Sequence, residues 1–214
     1  MALDLLVFDC DGVILESMDI KSGAFHRLGE EINPGSGDRL LMLHRLNGGV
    51  SRYKKFSWLF QEVFGRDVTD EEAEELNKKF MAYTQEEIAG CELVPGIEAT
   101  LKRWHKRLPM FVASGAPQEE LRQILTQRGL HQYFRGIYGA PTVKTQLLRS
   151  IVEYAGVRPY LVLMVGDSRA DQYAAEACGT LFYGRGCMFE HTGHPWHEDL
   201  TQLNEYIAEL VQQA

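Results

Sequence analysis

The sequence has no excess of positive charge: 22 Lys and Arg stand against 30 Asp and Glu, a formal net charge of −8. A general grip on the phosphate backbone of nucleic acid is therefore not expected. It also has no apolar run of the roughly 18 to 20 residues that a membrane span needs, and the first residues carry no cluster of positive charge of the kind that opens a signal peptide. A cytoplasmic protein without membrane or nucleic-acid partners is expected, as a monomer or weak dimer. Cysteine is scarce, and Cys10, Cys91, Cys178 and Cys187 show no C-x-x-C spacing, which excludes a zinc ribbon and gives no disulfide framework. Internal repeats and low-complexity tracts are likewise missing. What is present is an ordinary globular balance of 45% hydrophobic and 24% charged residues in a chain of 214, enough for one core domain with an insertion.

Residues 3–8 (LDLLVF) form a nearly continuous apolar run that stops at Asp9-Cys10-Asp11-Gly12, as a strand buried on both faces would. Similar runs recur at residues 109–113, 160–165 and 181–183, with a fainter one at 136–138. Amphipathic stretches alternate with them at 118–128, about 143–154 and 169–178, each followed by a glycine stop. This rhythm predicts an α/β fold with a Rossmann-like parallel sheet. Residues 17–90 break it: helical periodicity continues there without a buried strand, and Thr69-Asp70-Glu71-Glu72 opens the last helix as a capping box. The expected organisation is a core of residues 1–16 and 91–214 carrying an all-helical cap of residues 17–90. The aromatic residues of 51–64 are read as the core of that insert, and the glutamates near 71–75 as a solvated face.

In open parallel sheets ligands bind beyond the carboxyl ends of the strands. Those positions hold Asp9 and Asp11, Ser114 and Gly115, Lys144 before a helix, and Asp167 with Asp171. Asp9 and Asp11, two apart on extended backbone, are expected on one side roughly 6 to 7 Å apart. Carboxylates that close call for a hard cation, and oxygen ligands from Asp9, Asp11, Asp167 and Asp171 favour Mg2+ over zinc. The set suits phosphoryl transfer. Asp9 is the candidate nucleophile, and Asp11 the acid that protonates the leaving oxygen and then deprotonates water. Ser114 and the Gly115 amide, expected at a helix start, would take the phosphate together with Lys144. Cys10 is read as packing, and His191, His194 and His197 as loop residues without a shared metal.

Val7 to Ser17 (VFDCDGVILES), Phe111 to Pro117 (FVASGAP), Lys144 and Val165 to Asp171 (VGDSRAD) resemble the four motifs of the haloacid dehalogenase superfamily, in its phosphoglycolate phosphatase and β-phosphoglucomutase-like branch. The resemblance implies a Mg2+-dependent phosphatase that acts on a small phosphorylated metabolite, phosphoglycolate or a sugar phosphate, through an aspartyl-phosphate. It also implies the Asp11 backbone carbonyl as a metal ligand. The presence of Asp11 speaks against carbon–halogen cleavage, and Lys144 sits in GAPTVK rather than the usual G-K-P-x-P. Gly48 to Arg52 (GGVSR) resembles a cap segment whose arginine reaches toward a distal anionic group, so Arg52 joins the substrate-side candidates. Lys21 joins them as the possible counterpart of a Schiff-base lysine, with an exposed helix lysine as the plainer reading. It also stands where mutase-like relatives have a histidine, which favours hydrolysis over the alternative, a sugar phosphomutase. A phospho-receiver signalling domain is the remote alternative, disfavoured by the order of the motifs.

Overall fold

The computed structural model describes residues 3–212. Six parallel strands form one sheet: β1 (Leu5–Phe8), β2 (Met110–Pro117), β3 (Gly136–Ala140), β4 (Val162–Gly166), β5 (Leu181–Arg185) and β6 (Trp196–His197), in the order β3-β2-β1-β4-β5-β6. The central strand β1 pairs with β2 through Leu6 and Met110 and with β4 through Leu6 and Leu163. All four residues of β1 and all five of β4 are buried, because helices cover both faces. The expected parallel α/β sheet is thus present.

Strand alternation divides the core. Leu6 and Phe8 face a cluster that includes Ile97 and Leu101 of a helix Ile97–Trp104, Leu121 and Leu125 of a helix Gln118–Gln127, and Leu203 and Ile207 of a helix Leu203–Gln212. Leu5 and Val7 face the opposite cluster, with Leu148 and Ile151 of Lys144–Ala155 and Ala174 and Ala175 of Arg169–Cys178. Ahead of these in the chain come α1 (Met18–Ile32), α2 (Gly37–Leu46), α3 (Arg52–Phe64) and α4 (Asp70–Gly90), so the five helices just named are α5, α6, α9, α7 and α8 respectively.

Helices α1 to α4 have a hydrophobic cluster of their own, in which Phe25, Leu28, Leu40, Phe56, Leu59 and Phe80 are buried. The Thr69–Glu72 capping box opens α4, with Glu72 N donating to Thr69 Oγ1 and Thr69 N to Glu72 Oε2. Among the described residues no helix is long and apolar enough to cross a membrane.

Three features depart from the sequence expectations. Helices α5 and α9 fall in stretches read as connector or left unassigned, and the Gly- and Pro-rich tail of the core contributes the short edge strand β6. Strand β2 continues through Pro117, so α6 begins at Gln118 and Ser114 and Gly115 are extended strand rather than a helix start.

Candidate active site

The carboxyl ends of β1 and β4, the first residue of α7 and the first turn of α8 bring four side chains to one point. Asp9 is 2% exposed; its Oδ1 accepts from the Cys10 amide at 2.7 Å and its Oδ2 lies 2.8 Å from Lys144 Nζ. The same ammonium donates to Asp171 Oδ1 at 2.5 Å. The other oxygen of Asp171 accepts from the Ser168 amide at 3.1 Å and from Ser168 Oγ at 2.5 Å, closing the capping box of α8.

Electrostatically this floor is short of positive charge. Burial pushes Asp9 from 3.8 up to about 6, with Lys144 opposing the rise and Asp171 and Asp11 adding to it. Asp167 is raised well above 3.8, first by burial and then by Asp9 and Asp171. Burial works against the charge on Lys144, yet Asp171 and Asp9 hold its ammonium above the usual lysine range. Asp9, Asp167 and Asp171 each offer an oxygen, all within 4.8 Å of one another. Hard oxygen donors with unbalanced negative charge fit a divalent cation such as Mg2+. Both oxygens of Asp9 and both of Asp171 already have donors, so among the described residues Asp167 is the ligand of the three with its oxygens free.

Asp11 lies outside that trio. Strand β1 ends at Phe8, and the chain then turns back so that Ile14 N and Leu15 N both donate to Cys10 O. The Asp11 carboxylate lines the same cavity as Asp9 and faces Ser17 Oγ at 2.6 Å and Lys21 Nζ at 2.5 Å. Burial acts to raise its pKa, but the charge of Lys21 and the hydrogen bonds from Lys21 and Ser17 hold it below the usual aspartate value. Lys21 is accordingly no exposed helix lysine: it is 8% exposed and paired across the insert–core boundary. Cys10 packs into the core, its thiol pushed well up, first by burial.

The turn after β1 is pinned by Arg185 at the end of β5. Arg185 Nη1 donates to Gly12 O at 2.9 Å, while its two terminal nitrogens lie 3.1 and 2.5 Å from Glu16. Gly12 has φ +73°, and a side chain there would run into Asp167. Sequence reasoning passed over Arg185, although it too follows a strand end and the same positional rule would have found it.

Ser114 is buried with its Oγ accepting from the Ala116 amide at 3.2 Å. Pairing of β2 with β3 lapses between Ala113 and Pro117, so the Gly115 stretch leaves the ladder. A Cβ on Gly115 would strike the Gly49 carbonyl, so the insert's backbone rests directly on this edge of the sheet.

Above the floor lies a small cavity of about 50 Å3, whose upper wall comes from the insert and includes Lys21, Phe25, His44, Arg52, Lys55 and Phe80. Arg52 lines it but does not extend a free charge into it. Its Nη2 contacts Glu120 Oε1 and Oε2 at 2.8 and 2.6 Å, its Nη1 donates to Asn77 at 3.1 Å, and its guanidinium lies 4.2 Å from the Phe80 ring centre. Glu120 belongs to α6, so Arg52 clasps the insert to the core. The histidine run converges on nothing: His194 bonds Glu176 at 2.9 Å, His197 bonds Tyr183 at 2.7 Å, and His191 is exposed.

The model of the haloacid dehalogenase-like hydrolase family matches residues 3–179. A phosphoglycolate phosphatase of Pseudomonas aeruginosa is 29% identical over 222 residues, covering 93% of this chain and 75% of the relative. A phosphoglycolate phosphatase of Pseudomonas putida is 28% identical, covering 89% and 72%. In structure, the chain resembles a β-phosphoglucomutase of Clostridium difficile with TM-score 0.79 at 19% identity, covering 100% of this chain and 98% of the other. A haloacid dehalogenase-like family protein of Streptococcus pneumoniae gives TM-score 0.72 at 16% identity, over 95% and 98%.

Proposed function

The chain belongs to the haloacid dehalogenase-like hydrolase family, and from that premise we propose that it is a Mg2+-dependent phosphatase acting on a small phosphorylated metabolite of the phosphoglycolate or sugar phosphate type. The observation that carries this reading is the arrangement of Asp9, Lys144, Asp167 and Asp171, in which one buried ammonium bridges two carboxylates beside a third. The names of the relatives support the same reaction class.

Asp9 is the nucleophile. Its Oδ2 is tethered by Lys144, so the carboxylate is held in one orientation for in-line attack on phosphorus. The phosphorus–oxygen bond to the metabolite breaks as the bond to Asp9 forms, and the departing oxygen takes a proton from Asp11. Water then attacks the aspartyl-phosphate, Asp11 takes the water's proton, and inorganic phosphate leaves with Asp9 restored. Lys21 favours the anionic form that Asp11 takes on once its proton has gone to the departing oxygen, the form needed as base in the second half, and the proton drawn from water restores the acid for the next turnover. Ser114, the Gly115 amide and Lys144 cradle the phosphoryl oxygens. Bound Mg2+ on Asp9, Asp167 and the Asp11 carbonyl would neutralise charge on the phosphoryl group as it transfers.

We take residues 17–90 as a cap that selects the substrate, with Arg52 and Lys21 at its contact with the core. The test is phosphate release from a panel of phosphomonoesters with Mg2+, by the wild type and by Asp9→Asn. Release that falls at least a thousandfold in the variant supports the reading. Release that persists in Asp9→Asn, or isomerised sugar phosphate formed without inorganic phosphate, overturns it.

A further inference from the structure

The upper wall of the cavity carries three cations, and two of them have carboxylate partners: Lys21 has Asp11, and Arg52 has Glu120. Lys55 forms no ion pair among the described residues, although it is only 3% exposed. An unmatched buried ammonium is costly unless something with negative charge visits it. Its one hydrogen-bond partner is His44 Nδ1, at 3.1 Å.

That contact decides the state of the histidine. Burial, with Lys21 adding to it, lowers Lys55 from 10.5 to about 7; as the ammonium, the form a bound anion favours, it has only protons to give, and then Nδ1 accepts and the ring proton sits on Nε2. Burial, with Lys55 and Lys21 adding to it, lowers His44 to about 3, so the ring stays neutral. His44 is 3% exposed, and its Nε2 is the unpartnered buried side-chain nitrogen among the described residues. A buried N–H donor without an acceptor is rare in folded proteins and marks a place for a ligand or ordered solvent. Phe25 fixes both groups: its ring stacks on His44 at 4.4 Å and lies 5.2 Å from Lys55 Nζ.

We propose that Lys55 and His44 form a cap-side subsite for a carboxylate carried by the substrate, so that the preferred substrates are phosphomonoesters of small carboxylic acids. One positive charge and one neutral N–H match a singly charged acceptor with two oxygens. A second phosphate would bring two negative charges to a site that supplies one. The proposal rests on the phosphatase reading for the other end of the molecule, and it moves the choice of substrate from Arg52, whose charge is spent on Glu120, to Lys55.

The experiment uses matched esters that differ only in carboxylate against hydroxymethyl: 2-phosphoglycolate with 2-hydroxyethyl phosphate, and 6-phosphogluconate with sorbitol 6-phosphate. Wild-type kcat/KM should favour the carboxylate by at least tenfold in one pair. Lys55→Met should cut that ratio at least tenfold, chiefly through KM, and Lys55→Arg should restore part of it, with thermal melts confirming that each variant folds. Calorimetry on the Asp9→Asn protein reads the same preference as Kd without turnover. No preference in wild-type binding or turnover, or a ratio unchanged by Lys55→Met, overturns the subsite. A binding preference without any phosphate release keeps the subsite and overturns only the phosphatase.

Discussion

Lys21 Nζ lies 2.5 Å from Asp11 Oδ2, so the first helix of the insert holds the second aspartate of the core. Removing this charge should be visible in the pH profile. Lys21 depresses the Asp11 pKa, so in Lys21→Met the pKa rises and, because the first half needs Asp11 protonated, the alkaline limb of kcat/KM for phosphate release moves to higher pH. A limb that stays in place would separate Lys21 from the catalytic proton.

The floor should respond to protons and Mg2+ in opposition. The Asp9 pKa is raised from 3.8 to about 6, so protonation of Asp9 favours the folded state. That contribution is full below pH 3.8 and lost as pH rises through about 6. Metal-free protein at pH 7.5 lacks it, and Mg2+ should raise Tm there by binding the folded state. The increment should shrink toward zero at pH 5, where protons compete for the same oxygens, and should disappear in Asp9→Asn. Melting curves with EDTA or Mg2+ at the two pH values provide the check.

Gly49 should not tolerate a methyl group. It has φ +72°, and a Cβ would stand 2.7 Å from Ser168 Oγ and 3.1 Å from both Ala170 Cβ and Lys144 Nζ. Left-handed backbone adds a penalty of roughly 1–2 kcal/mol for alanine. Gly49→Ala is expected to lower kcat/KM by about a hundredfold by lifting the insert away from Lys144. The intervening glycine Gly65, φ +64° with open space around it, is the control, and Gly65→Ala should cost stability without comparable loss of rate.

The Arg52–Glu120 pair should be worth more to stability when broken on one side than when removed whole. Its side chains are 4% and 7% exposed. Glu120→Leu leaves a buried guanidinium unmatched and should destabilise the fold by about 3–5 kcal/mol. Arg52→Met with Glu120→Leu should recover a large part of that loss in urea unfolding.

Legibility in the sequence followed locality. The strands that precede Asp9 and Asp167 stood out because a strand buried on both faces is a run of apolar residues, and the positions after such runs are where α/β folds keep their chemistry. Asp11 lines the same cavity as Asp9, but its partners Ser17 and Lys21 lie beyond the strand and have no local signature. Arg52 and Lys21 came forward only through the resemblance and Lys55 not at all, since their burial is created by the docking of one unit on another. The partner of Arg52 is 68 positions away. Helix α5 escaped notice because the Pro95-Gly96 pair announces a connector, and only eight residues follow before the chain turns toward β2.

The place of β1 at the centre of the sheet has a consequence for synthesis. It leaves the ribosome ahead of the other strands of its sheet, yet its neighbours in register begin at Met110 and Val162. At ribosomal rates of roughly 5–20 residues per second, about a hundred residues separate β1 from its first partner by on the order of 5–20 s. Helices α1 to α4 emerge in that interval with an apolar cluster of their own to bury. The nascent chain therefore presents a helical bundle tethered to a bare apolar strand, and Asp9 waits in that strand's wake for Lys144 and Asp171 to be made.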